Sequence, residues 1–252
     1  LVSELLIAST LVCDKLFASW LDLGQLSILE YADKLRLIPQ LLVEGTLLPV
    51  AFASWASLHT QKYRTEMLHS VQKTTQMVVL GLTPILCLGM IWRTEMVDLL
   101  FAYSDLTATQ RVSIADLFGL YLPGVWLLVV GALAFKIHVL YRHWHLIIIA
   151  SALAAGLNVV LNLLWIDLLG LKGIVLASLV AWTLLAGVYQ WTLRAECRQT
   201  PYTLTQPLLL CFGCMIIVSF TSMSMADKTV PLTALLVCAV AFGVQRLWHR
   251  KP

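Results

Sequence analysis

A run of ionisable and amide side chains marks one stretch of an otherwise apolar sequence, residues 30–44. On an α-helix, at 100° per residue, four of these side chains fall within a stripe about 80° wide. The four are Asp33, Arg36, Gln40 and Glu44. One helix face would then carry two carboxylates, a guanidinium and an amide, which together can hold a charged or hydrogen-bonding ligand. The spacing therefore predicts a polar, substrate-facing helix wall.

The composition places that helix in a lipid bilayer. Of 252 residues, 60% are hydrophobic and only 12% are charged, whereas soluble domains carry about 25% charged residues. The net charge of +3 comes with no dense basic run, so no nucleic-acid partner is expected. The six cysteines lie mainly in apolar runs, which argues against a disulfide framework and a metal site. No nucleophile elbow, phosphate loop or zinc-protease motif is present, so an enzyme is not expected.

Charge on a membrane helix needs a partner or water. At the bilayer centre each charge costs ~2.5–3.5 kcal/mol, and two interpretations of the stripe stay open. Asp33 and Arg36 could neutralise each other at three-residue spacing. Glu30 and Lys34 could do so at four-residue spacing, in which case the charges only hold helices together. Alternatively the stripe lines a water-filled path, because beyond Arg36 it continues inward without another basic residue on that helix.

A second pair of charges, Asp14 and Lys15, lies in the preceding apolar run. As neighbours on a helix they point about 100° apart and cannot simply pair with each other. We expect both to lie close to the polar stripe. They would either pair across the two helices or share in substrate binding.

Several other polar or small residues are interpreted as structural. Asn158 and Asn162 share a helix face and are expected to be packing contacts. A seam of small residues at four-residue spacing is expected to do the same; it comprises Gly173, Ala177 and Ala181. Three histidines beside basic residues are expected to be solvated or to face lipid headgroups; they are His138, His143 and His145.

Apolar windows of about 19 residues predict about eight membrane-spanning helices. They lie near residues 1–21, 27–52, 76–93, 113–135, 145–166, 170–192, 207–225 and 231–248. Runs of this length without strict alternation are typical of helices, so the predicted fold class is an all-α polytopic membrane bundle. The segment from Ser54 to Gln72 is expected to be either an amphipathic helix lying on the interface or a plain connector.

Basic residues predict the orientation. If the first span leaves the cytoplasm, ten of the 17 Lys and Arg residues fall on the cytoplasmic side and four on the other, with three within or beside spans. The ten are Lys62, Arg64, Lys73, Lys136, Arg142, Arg194, Arg198, Arg246, Arg250 and Lys251. The positive-inside rule then places the C-terminus in the cytoplasm.

An ordered succession of short motifs resembles the lipid II flippases of the MurJ/MviN type, within the larger exporter superfamily of multidrug, oligosaccharidyl-lipid and polysaccharide transporters. No single motif is specific, and the order carries the resemblance. The motifs are Asp14-Lys-Leu-Phe-Ala-Ser19-Trp-Leu21, Tyr31-Ala-Asp33-Lys34-Leu35 with Pro39, Leu47-Leu-Pro49, Leu100-Phe101, Asn158-Val-Val-Leu-Asn162, and Leu169-Gly170 with Gly173.

The resemblance implies a fourteen-helix protein of two six-helix lobes and a two-helix tail, of which this chain would supply the second half. Residues 1–192 would form the C-terminal lobe, whose first helix could be truncated, since the chain opens on Leu1 rather than Met. Residues 193–252 would add two membrane helices and a cytoplasmic tail. The implied function is transport of a polyprenyl-pyrophosphate-linked glycan, lipid II for peptidoglycan synthesis, across the cytoplasmic membrane. The implied partner is an N-terminal lobe, in the same or another chain.

Departures from the family pattern keep alternatives open. The family usually carries Arg where Lys34 stands, a residue implicated in recognising the substrate's pyrophosphate in the central cavity. Lysine keeps the charge but loses the two-pronged geometry of a guanidinium. The chain could therefore move another lipid-linked polysaccharide precursor. It could also be a half-lobe that binds lipid or a membrane protein without transporting anything.

Overall fold

The computed structural model describes residues 2–196, together with residues 213, 217 and 218. The helices of the continuous part are α1 (Val2–Ala18), α2 (Gln25–Leu42), α3 (Leu48–Thr60), α4 (Arg64–Ile91), α5 (Arg93–Leu100), α6 (Ala108–Leu140), α7 (Trp144–Leu169) and α8 (Leu171–Glu196). A five-residue π-helical segment, Val43–Leu47, joins α2 to α3. The described residues contain no strand, so the predicted all-α class is confirmed.

Five helical stretches in the described part are long and apolar enough to cross a membrane. They are Gln25–Thr60, Arg64–Ile91, Ala108–Leu140, Trp144–Leu169 and Leu171–Leu193. These match five of the predicted spans, and α1 occupies the position of the first. The spans expected at 207–225 and 231–248 lie outside the described residues, so the total of eight stays a prediction.

Helix α6 is the centre of the bundle and packs against α2, α4, α5 and α8. It begins with a capping box, in which Thr107 and Gln110 satisfy each other's backbone N–H groups. Ile114, Val125 and Ile137 on this helix are completely buried, which is the expected fate of a helix that is apolar on all sides. The wall that carries the polar stripe, α2, therefore rests on the most buried helix of the described part.

The expectation of an interfacial helix or plain connector over residues 54–72 is wrong. Helix α3 continues to Thr60 and α4 begins at Arg64, with a short turn between them. Trp55 and Met67 are both completely buried. The polar residues of this segment lie at the ends of two helices, and Trp55 and Met67 face the bundle core, whereas Tyr63 is exposed.

The turns alternate between two ends of the bundle, as the span pattern predicts. At one end the Arg64 guanidinium lies 5.6 Å from the centre of the Tyr141 ring, which brings the α3–α4 and α6–α7 turns together. At the opposite end Asp116 meets two basic side chains, Arg93 at 3.6 Å and Lys172 at 3.3 Å. The connections near residues 94–112 and 170 therefore share the second end.

Cysteine labelling can establish which end faces the cytoplasm. In a cysteine-free background, we expect Asp105→Cys to react with an impermeant maleimide in intact cells and Lys62→Cys to react only after the inner membrane is permeabilised. The reason is the excess of basic residues at the end that includes Lys62. The reverse labelling pattern would overturn the predicted orientation, including a cytoplasmic C-terminus.

Candidate functional site

The four stripe residues form one hydrogen-bonded chain along α2 and the π-helical segment. Arg36 Nε donates to Asp33 Oδ1 at 2.6 Å, and Arg36 Nη1 donates to Gln40 Oε1 at 2.9 Å. Gln40 Nε2 then lies 3.2 Å from both carboxylate oxygens of Glu44. The predicted pairing of Asp33 with Arg36 is present. The chain reaches Glu44 because Gln40 relays the contact, which the charge pattern did not predict.

Arg36 is buried at the junction of three helices. Its side chain is 3% exposed, and its guanidinium lies 5.3 Å from the Tyr121 ring of α6 and 4.9 Å from the Trp182 ring of α8. A cation sandwiched between two aromatic rings in an apolar setting is strongly attracted to both faces. Arg36 therefore fastens α2 to α6 and α8, and its proposed contact with substrate stays a prediction.

Gly124 has no side chain, and this leaves the space that the Trp182 ring occupies beside Arg36. A Cβ at Gly124 would lie 2.5 Å from Trp182 Cζ3 and 2.7 Å from Leu179 Cδ2, well inside contact distance. We expect Gly124→Ala to displace the ring and destabilise the protein by ~1–3 kcal/mol, measured as thermal unfolding in detergent. Gly156 on α7 has nothing within 4 Å of its Cβ position, so Gly156→Ala is the matched control. Equal stability of the two variants would contradict the assigned role of Gly124.

Lys34 differs from its neighbours because it is exposed and forms no ion pair within the described part of the chain. Its Nζ lies 5.8 Å from the centre of the Tyr31 ring. Glu30, the partner that spacing suggested, instead accepts a 2.9 Å bond from Lys15 on α1. Of the two alternatives for Glu30 and Lys34, a direct ion pair within α2 does not form, because the neighbouring helix supplies Lys15 as the closer cation; Lys34 acts on Glu30 only through its charge. The interhelical pairing expected of Lys15 is present.

Asp14 is also predicted as a site residue, and the structure places it in a buried cluster away from solvent. It is 5% exposed and accepts hydrogen bonds from three neutral side chains. Asn162 Nδ2 lies 2.8 Å and Asn158 Nδ2 lies 3.2 Å from Oδ1, and Ser178 Oγ lies 2.5 Å from Oδ2. The cluster ties α1 to α7 and α8, so Asp14 is joined to those helices by direct hydrogen bonds.

Sequence reasoning missed the partners of Asp14. It assigned Asn158 and Asn162 to packing alone, although two amides at four-residue spacing in an apolar helix already indicated a buried polar acceptor nearby. The small-residue seam is confirmed. Gly173 sits so close to α7 that a Cβ would lie 2.5 Å from the Trp165 carbonyl oxygen, and Ala177 and Ala181 are buried.

A cavity of about 480 Å³ opens beside the inner end of the polar chain, between α2, the π-helical segment, α3, α6 and α8. Its wall is mainly apolar, and its polar edge comprises Gln40, Glu44 and Lys136. Lys136 Nζ lies 5.5 Å from the Phe52 ring. The sequence assigned Lys136 only to a cytoplasmic connection, whereas the structure makes it part of this wall. The arrangement suits an amphiphilic molecule with a polar group at that edge.

The histidines are only partly as predicted. His145 is exposed, but His138 is completely buried, with Nε2 3.0 Å from the Tyr189 carbonyl oxygen and Nδ1 3.2 Å from His143 Nδ1. His138 is buried because it lies on the face of α6 that α8 covers. Among the described residues no cluster of histidine, cysteine and acidic side chains could hold a metal ion.

Comparison with known proteins identifies the family. The model of the family described as lipid II flippase MurJ matches residues 2–250. The chain belongs to the MurJ lipid II flippase family. The resemblance found in the sequence motifs is thereby confirmed. No curated protein matches the chain.

A solved structure supports the MurJ-type fold. The lipid II flippase MurJ in an inward closed conformation superposes with a TM-score of 0.72 at 14% sequence identity. The match covers 98% of this chain and 52% of that chain, so this MurJ-family chain spans about half the length of the solved protein. The family description names a flippase, which agrees with the expected membrane localisation; the cytoplasmic C-terminus and the expectation that the chain is not an enzyme stay predictions.

Proposed function

We propose that this chain is the substrate-contacting lobe of a flippase that moves lipid II, a polyprenyl-pyrophosphate-linked glycan, across the inner membrane. Membership of the MurJ family supports this proposal. The observation that carries it is the exposed Lys34, which forms no ion pair among the described residues, on a helical stretch of membrane-spanning length. A strongly hydrated ammonium is costly in a bilayer unless it meets water or an anion. The substrate's pyrophosphate supplies that anion.

Neighbouring charges favour the same assignment. Asp33 is neutralised by Arg36, and Glu30 is neutralised by Lys15. Within the described part of the chain Lys34 has no ion-pair partner of its own, so its charge can attract an anion. Arg36, Gln40 and Glu44 extend the polar wall and position α2. Lys15 holds α1 beside α2, and Asp14 fastens α1 to α7 and α8.

The lobe proposed here comprises residues 1–192, and residues 193–252 would add two membrane helices and a cytoplasmic tail. Alternating access needs a second lobe that faces the polar wall, in the same or another chain. The exposed position of Lys34 supports this, because a facing lobe would enclose it in an aqueous cavity. No cofactor is part of the proposal.

Complementation tests the need for a facing lobe. In cells depleted of their own flippase, we expect residues 1–252 expressed alone to insert into the membrane and to leave lipid II in the inner leaflet, because the polar wall lacks a facing surface. Co-expression with an N-terminal MurJ lobe is the control, and should restore outer-leaflet lipid II. Rescue of growth by residues 1–252 alone would contradict the proposal of a half-site.

A second substrate class is favoured by one observation, the lysine at position 34. A single ammonium binds phosphate as a point charge and orients it less than a guanidinium does. The same lobe could then carry another polyprenyl-pyrophosphate glycan. Transport of labelled lipid II beside a lipid-linked polysaccharide precursor, in vesicles containing the complete transporter, distinguishes the two.

A further inference from the structure

A shallow notch of about 510 Å³ lies at the end of the bundle that holds the α6–α7 turn, far along α6 from the Asp116 ion pairs. It is formed by that turn and the last turns of α8. The lining side chains that matter are Arg142, His143, Trp144, His145, Trp191 and Thr192. None of the described lining residues is acidic, and the sequence has no Asp or Glu between residues 117 and 166. The notch is thus a basic, hydrogen-bonding pocket.

The α6–α7 turn has a defined backbone at Arg142. Arg142 has φ of 57°, and its N–H donates to the Val139 carbonyl oxygen at 3.1 Å. Its own carbonyl oxygen accepts from the Trp144 N–H at 2.9 Å. His143 is stacked on Tyr141 with ring centres 5.7 Å apart. These contacts fix the backbone of the turn, and the exposed Arg142 side chain projects from it.

Aromatic and aliphatic side chains continue from the notch onto the outer surface. The Trp144 and Trp191 side chains are 50% and 73% exposed, and both line the notch. Ile148 and Ile149 are exposed on α7, about 6–7 Å further along the helix. Exposed indoles are typical of the headgroup level of a bilayer, and exposed aliphatic residues below them contact acyl chains.

We propose that this notch binds the phosphate headgroup of an anionic glycerophospholipid from the adjacent leaflet. Arg142 contacts the phosphate, the His145 ring N–H donates to a remaining headgroup oxygen, and the two indoles flank the glycerol region. The acyl chains lie against Ile148 and Ile149. This site is separate from the polar wall, because it is built from the α6–α7 turn and the end of α8 and shares no residue with α2.

Lipid retention on the purified full chain tests the site. Native mass spectrometry would count phosphatidylglycerol and phosphatidylcholine of identical chains bound to wild type, Arg142→Gln and Lys62→Gln. Lys62 is the matched control, since it is also an exposed basic residue at positive φ, in the turn at the same end, and does not line the notch. We expect Arg142→Gln to weaken phosphatidylglycerol binding about five-fold and Lys62→Gln to change it less than two-fold.

A second variant and three possible outcomes decide between lipid binding and its alternatives. Arg142→Asn, which tolerates positive φ, replaces Arg142→Gln if the latter unfolds at lower temperature than wild type. Equal losses in the Arg142 and Lys62 variants would overturn the proposal, as would equal retention of phosphatidylcholine by wild type. Inorganic phosphate that binds at Arg142 while phosphatidylglycerol does not would also overturn it, since the ligand would then be a soluble anion.

Discussion

Lys34→Ala, in the protein as the cell makes it, is expected to abolish lipid II transport without lowering the amount of protein in the membrane. The ammonium is exposed and takes part in no ion pair within the described residues, so its removal leaves no buried charge behind. Loss of a cation that meets a desolvated phosphate costs about 2–5 kcal/mol, a fall in transport rate of roughly 30-fold or more. Outer-leaflet lipid II and membrane abundance should be measured side by side.

Two control variants separate binding from structure. Lys34→Arg keeps the charge and restores the fork geometry usual in the family, so transport should be kept or improved. Lys15→Ala removes an equally exposed lysine that is paired with Glu30, and should leave transport much closer to wild type. Wild-type transport by an abundant Lys34→Ala protein would remove Lys34 from the site. Reduced abundance of that variant would instead support a structural role.

Asp14→Leu is expected to produce the largest loss of stability in the described part of the chain. The leucine would leave the Ser178 hydroxyl and the amides of Asn158 and Asn162 facing a buried apolar group. Buried donors without acceptors cost about 1–3 kcal/mol each, so the free energy of unfolding should fall by about 3 kcal/mol after partial rearrangement. Thermal unfolding in detergent and abundance in the membrane both report this.

Asp14→Asn distinguishes the hydrogen bonds from the charge. Its amide oxygen can still accept from Asn162, and its amide nitrogen, in the place of Oδ2, can donate to the Ser178 hydroxyl oxygen. We expect a loss of about 1 kcal/mol or less. Asp22→Leu, at an exposed aspartate in the α1–α2 turn, is the control for removing a negative charge. If Asp14→Asn proves as damaging as Asp14→Leu, the negative charge itself is required.

The helical class and the span positions followed from the sequence because hydropathy over about 19 residues is a local property. The polar stripe also followed, since residues three and four apart on one helix must share a face. Prediction failed where polar residues lie at helix ends. The segment around Trp55 and Met67 was assigned to an interfacial helix or a connector, because composition alone cannot show that neighbouring helices cover these side chains.

The choice of partners was decided only by tertiary structure. The four-residue spacing suggested an ion pair between Glu30 and Lys34. In the structure α1 packs beside α2, and Lys15 forms the ion pair with Glu30 instead. Asp14 accepts hydrogen bonds from donors that lie 144 to 164 residues further along the chain.

The sequence by itself determined which residues are polar within the membrane, which helix face four of them share, and the order of motifs that marks the family. Only the packing of the helices decided which of those polar side chains are buried against partners and which stay exposed. Arg36 is enclosed by Tyr121 and Trp182 from two other helices, while Lys34, two residues earlier, stays exposed. Helical periodicity sets the direction of a side chain, but its surroundings depend on neighbouring helices whose positions are set by the packing of the whole core.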